Sequence, residues 1–167
     1  MPNIVEISDF TGKFKIATDQ YSEGDFESFR DERQFDMIYE MLGAVLGAAF
    51  IADLNSSGVP VNAPYTTIFA PFVANQNGCL IRSEGIKKMV RNDLFVKWAR
   101  ENGKDVNLPG NSSSEQENST PVLSVTWIVL KYNQAIDTAR AIQWYIGENS
   151  TAFPDYKGQE MEYMSIY

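Results

Sequence analysis

Glu32, Asp36 and Glu40 recur at helical spacing, so on a helix their carboxylates share one face. A row of that kind is what a hard cation or carboxylate acid–base chemistry would require. The groups that usually complete such sites are missing. The chain contains no histidine, which removes the Glu-x-x-His pairs of a di-metal bundle and the Ser-His-Asp and Cys-His nucleophile systems. The row therefore reads as a solvated or interface face. Asp53, Asp93 and Asp137 are scattered over polar faces and carry no signature. "LGAVLG" lacks the Lys-Ser/Thr of a phosphate loop, and "DVNLPGNSSSE" lacks the alternating ligands of a calcium loop. Cys79 is the single cysteine, so no intramolecular disulfide exists, and it reads as a buried, inert thiol. No catalytic, cofactor-binding or metal-ligating residue is assigned, and the protein is expected not to be an enzyme.

The bulk numbers agree with a folded, non-catalytic body. A chain of 167 residues with 44% apolar content fits one globular domain. Its 22 acidic and 14 basic residues give a net charge of −8, which disfavours nucleic-acid binding. The best basic cluster, Lys87, Lys88 and Arg91, reads as a solvated helix face. "MPNIVEISDF" has no basic region followed by an apolar stretch, so no signal peptide is expected. The longest apolar run, Met41 to Ala52, falls short of the roughly 20 residues that span a bilayer.

The elements that would position these residues are mostly helical. Residues 1–23 mix short apolar runs with polar breaks and read as an arm. From Asp25 to Leu54 strong helix formers follow, with Ser22 or Asp25 as a cap and Ile38, Leu42, Val45, Ala49 and Phe50 on one stripe. Gly43 and Gly47 mark either a close approach of another backbone or a kink. "NSSGVPVN" stops the segment. In "APYTTIFAPFVANQNG", Pro64 and Pro71 oppose helix while "YTTIF" has strand-like content, so this reads as an apolar loop needing burial. "SEGIKKMVRNDLFVKWARE" places Ile86, Val90, Leu94 and Trp98 on one face of an amphipathic helix that ends at Asn102 and Gly103. A polar loop, 102–120, separates it from a last helix capped by Thr120 and Pro121. Val125, Val129, Tyr132, Ile136, Ala139, Gln143 and Ile146 form the stripe of that helix, and Trp127 and Leu130 add apolar surface off it. Trp98, Trp127 and Trp144 read as core or interface anchors. Residues 149–167 form an aromatic tail. The fold class is all-α, a small helical bundle of roughly three to five helices with long projecting loops and extended N- and C-terminal arms.

"YEMLGAVLGAAFIADL", then "SEGIKKMVRNDLFVKWARE", a polar loop and "KYNQAIDTARAIQWYI" form an ordered set. That order resembles the head-to-tail connector (adaptor, or ring) proteins of tailed bacteriophages, closest to those of crAss-like and other Bacteroidetes phages. The residues that carry the likeness are the "LG" before an apolar helix ending in "DL", then Gly85, Ile86, Met89, Phe95 and Trp98, then Tyr132 and Asn133. The likeness covers roughly Asp25 to Ile146; the aromatic tail departs from the pattern.

The resemblance implies a structural virion protein, made in the host cytoplasm and located at the head–tail junction. It would form a homo-oligomeric, dodecameric ring that joins the portal protein to neighbouring connector or tail proteins. DNA would pass through the channel without specific binding, and neither a cofactor nor a membrane would be involved. The interface it implies draws on Tyr65, Phe69 and Phe72 in the apolar loop, Val106 and Leu108 in the polar loop, and Trp127 and Leu130 in the last helix. The tail adds Phe153, Tyr156, Tyr163 and Tyr167. The reading from a different class is a monomeric acidic helical module that binds a host protein.

Overall fold

A computed structural model describes residues 2–11, 14, 20–76, 78–101 and 125–164, leaving aside the side chains of 20–23, 76 and 125. In chain order the elements are a 3-10 turn Ile7–Asp9, α1 Gln20–Arg33, α2 Asp36–Ala52, α3 Ala63–Phe69, β1 Phe72–Gln76, β2 Cys79–Ser83, α4 Ile86–Glu101 and α5 Val125–Glu148. The chain is mostly helical, but it is not all-α, because β1 and β2 pair as an antiparallel hairpin. Gly78 supplies the positive φ, 85°, that the hairpin turn demands.

The helical stretch before Asn55 is broken twice. α1 starts at Gln20, ahead of both expected caps, and ends at Arg33. Gln34 and Phe35 form a turn before α2. Inside α2, Gly43 adopts φ 77° and ψ 169°, a region open essentially to glycine alone. That kink turns the following residues, so Ile38, Leu42 and Phe50 are buried while Val45, on the same sequence stripe, is 64% exposed. Residues Gly24–Ala52 are long and apolar enough, by length and composition, to cross a membrane. In this fold Phe26, Met37, Ile38, Met41, Leu46 and Phe50 from that stretch belong to the core, as in the core helices of globular folds.

"YTTIF" is helical, not extended. Pro64 sits in the first turn of α3, where a missing N–H costs nothing. Both Thr66 and Thr67 satisfy their hydroxyls on the carbonyl of Ala63. Asp53 organises the loop before α3, accepting from the backbone N–H of Val61 and of Asn62 at 2.8 Å each, and from the Asn62 side chain. Strand character begins only after Pro71.

α4 is the central helix and is buried nearly all round, not on one face. Its apolar residues Ile86, Met89, Leu94, Phe95, Val96 and Trp98 are joined in the interior by Asn92 and Asp93. It packs most extensively on α5 and also touches α1, α2 and α3. Gly85, at φ 87°, lets its N-terminus approach the α3–β1 junction, since a Cβ there would meet the Phe69 carbonyl at 2.7 Å. Ile4, Val5 and Phe10 of the arm join the same core, and so do Phe153 and Met161 of the tail. The expected C-terminal cap at Asn102 and Gly103, the polar loop and the Thr120–Pro121 cap lie outside the described residues.

Candidate interaction surface

The residues expected at an interface divide into two groups. Several are used within the subunit. Tyr65 packs edge-on against Phe50 at 5.7 Å and lies beside Phe153, itself 2% exposed. Phe72 lies on Tyr145 at 5.2 Å, and Trp127 packs on Phe95 at 5.1 Å and on Phe14. Phe69 and Tyr156 are partly buried against the core. Leu130 and Tyr163 remain on the surface, 51% and 47% exposed. Tyr163 is nevertheless fixed in place, its hydroxyl donating to Asp137 at 2.7 Å and its ring lying under the Arg140 guanidinium at 4.1 Å. Val106, Leu108 and Tyr167 lie outside the described residues.

The most exposed aliphatic side chains are others. Val45 on α2, Val61 before α3, and Val73 and Leu80 on the hairpin are 64%, 66%, 59% and 64% exposed. The strand register pairs Val73 with Arg82 and Asn75 with Leu80, which puts these four on one face. Phe72 and Ser83 lie on the opposite face, toward α5. The signal for this surface was in the sequence: "NG" between "FVANQ" and "CLIRS" is a hairpin turn flanked by extended runs. Cys79, expected to be buried, is exposed at the start of β2.

Below the hairpin a groove of about 570 Å³ lies between Phe69, Ala70 and Pro71 on one side and Glu84, Lys87, Lys88 and Arg91 on the other, with Asp9 at its end. Lys87 pairs with Asp9 at 2.9 Å and Lys88 with Glu84 at 2.8 Å. The Arg91 guanidinium stacks on Phe14 at 4.1 Å, while its buried Nε has no hydrogen-bond partner among the described residues. The cluster read as a solvated helix face thus lines a concave surface.

The carboxylate row does not share one helix face, because the turn at Gln34–Phe35 leaves Glu32 on α1 and Asp36 and Glu40 on α2. Glu32 and Glu40 face solvent, whereas Asp36 lies 3.6 Å from Arg33 and 3.7 Å from Lys97. Lys97 also pairs with Asp93 at 2.9 Å, and Asp93 is 1% exposed. Burial pushes the Asp93 carboxyl up to about 6 despite the adjacent ammonium, with Glu40 and Asp36 adding repulsion. Burial works against the Lys97 ammonium, but Asp93, Glu40 and Asp36 together hold it above its ordinary value. A perturbed carboxyl can mark a functional site. Here its burial between helices gives a substrate no approach. Among the described residues, no group of three or more His, Cys, Asp or Glu side chains is arranged to hold a metal ion.

No family model, curated protein or solved structure matches this chain.

Proposed function

We propose that this protein is a structural subunit of the head-to-tail connector of a tailed phage, assembling as a ring between the portal and tail components. The observation that carries the reading is the placement of solvent-facing aliphatic side chains on separate elements. Val45 is on α2, and Val73 and Leu80 are on the hairpin. A ring subunit needs two different surfaces, one for each neighbour, because a heterologous contact repeats head to tail until the rotation closes. Exposed apolar groups on unrelated elements suit that need better than a single active cleft would.

The residues that carry the family likeness add support, because they stand at the joints of the fold. Gly43 makes the α2 kink, Asp53 ties the following loop, and Gly85 seats α4. Asn133 exchanges two hydrogen bonds with Met164, holding the tail on α5.

The test is molar mass by light scattering, alone and with the portal protein encoded by the same genome. A stable portal complex carrying about a dozen copies is the expected result for closed cyclic symmetry. A monomer that ignores the portal overturns the portal-contacting ring and leaves the host-binding module.

A further inference from the structure

The groove beside α4 continues beyond its first hollow. A second hollow of about 370 Å³ shares Pro71, Glu84 and Lys88 with it and extends over Val73 and Arg82 on the outer hairpin face. Across both hollows Arg82, Lys87, Lys88 and Arg91 outnumber the carboxylates of Asp9 and Glu84. The groove is therefore positive on a chain whose net charge is −8. Its other wall is apolar, from Phe69 to Val73. Val73 on this wall is 59% exposed and offers apolar surface to a guest.

We infer that this groove seats an exposed acidic segment of a second copy of the same chain. The inference rests on the ring reading, because it names one of the two surfaces a ring subunit must have. Charge complementarity identifies the occupant. Outside the groove the chain holds a large surplus of carboxylates, so an acidic segment of a neighbouring copy meets local attraction at this surface, although two chains of net charge −8 repel at longer range. An extended acidic peptide uses both walls, with carboxylates toward Arg82 and Arg91 and alternate side chains on Pro71 and Val73. A nucleic-acid strand fits less well, since Asp9 and Glu84 already occupy Lys87 and Lys88 and the apolar wall offers phosphate nothing. With the groove on one copy and the acidic segment on the next, the contact is heterologous and propagates.

Light scattering over a concentration series, at low and high ionic strength, tests this on the full chain. The groove variant is R82E/K88E; both positions are exposed. The control is R100E/K157E, which makes the same charge change at exposed positions off the groove. Wild type is expected to associate with rising concentration and to dissociate in high salt. The groove variant should associate roughly tenfold more weakly than the control, since reversed charge turns attraction into repulsion. Thermal melts of each variant verify folding. Mixed with wild type, the groove variant should cap growing assemblies, because it still offers its own acidic segment. Equal weakening in both variants, wild type monomeric at every ionic strength, or a duplex oligonucleotide bound through these cations would each overturn the inference. If the groove variant still assembles normally with the portal, the groove inference falls and the ring stands. If wild type ignores the portal as well, the ring reading itself fails.

Discussion

The side-chain amide of Gln143 on α5 donates to the carbonyl oxygen of Met41 on α2 at 3.0 Å, joining residues 102 positions apart. The same nitrogen donates to the Gln159 carbonyl in the tail, also at 3.0 Å. The kink at Gly43 interrupts the helical ladder and leaves nearby carbonyls without their regular donors. Gln143 supplies one such donor and ties α2, α5 and the tail together. Gln143→Leu should therefore cost about 1–3 kcal/mol, the desolvation cost of an unpartnered buried acceptor. Gly43→Ala should cost about 2–3 kcal/mol from its backbone conformation alone, and its Cβ would also meet Gln159 Nε2 at 2.8 Å. Urea unfolding of both variants checks this, and a midpoint unchanged from wild type would refute the linkage.

Asp93 makes stability depend on pH in a direction opposite to most carboxylates. Its folded pKa, about 6, lies above the ordinary 3.8, so the folded state binds the proton more tightly. Stability is therefore highest below the unfolded pKa, falls as pH rises between 3.8 and about 6, and levels off above that. Asp93→Asn should remove this slope, worth about 2–3 kcal/mol across the window. Lys97→Met should have the reverse effect, destabilising by about 3 kcal/mol at neutral pH by stranding a buried charge. That cost should shrink as Asp93 takes its proton. Urea titrations at several pH values read both; parallel curves for wild type and Asp93→Asn would exclude the effect.

Among the described residues, Gln34 is one of two buried polar side chains that hold the N-terminal arm, the other being Arg30, which donates to Glu6 at 2.9 Å. Gln34, 2% exposed in the turn between α1 and α2, accepts from the Ile4 N–H at 3.0 Å and donates to Asn3 Oδ1 at 2.8 Å. Gln34→Ala should cost about 1–3 kcal/mol. It should also raise amide exchange over residues 2–11 selectively, while α4 keeps its protection. Uniform loss of protection would mean that the arm is not locally anchored.

Association and folding should separate at the exposed aliphatic residues. Val45→Asp and Leu80→Asp remove apolar surface that touches little within the subunit. Each should change monomer stability by less than about 0.5 kcal/mol. If the proposed ring reading holds, each should also weaken assembly with the portal, measured by light scattering alongside a thermal melt. Full assembly by both variants would leave these surfaces without a role.

Cys79 should react stoichiometrically with a thiol reagent in the native protein, because its position at the start of β2 leaves it exposed. Reaction only after denaturant is added would contradict the hairpin placement.

Much of the local structure was written in the residues themselves. The apolar steps of Ile86, Val90, Leu94 and Trp98 fixed a helix, and those of Ile136, Ala139 and Ile146 another, because helical periodicity is a local property. The absence of histidine disposed of whole classes of chemistry without any structure. Local pattern did not reveal which faces met partners. Only packing decided that α4 is enclosed over most of its surface and holds Asp93 in the interior. Only the φ of Gly43 decided that Val45 leaves the core, since a single glycine rotates everything beyond it. The same holds for Tyr65, Trp127 and Phe153, aromatics equally suited to a core or an interface until their neighbours are placed. Burial depends on residues far apart in the chain, such as Met41 and Gln143, and that is why tertiary structure alone could assign it.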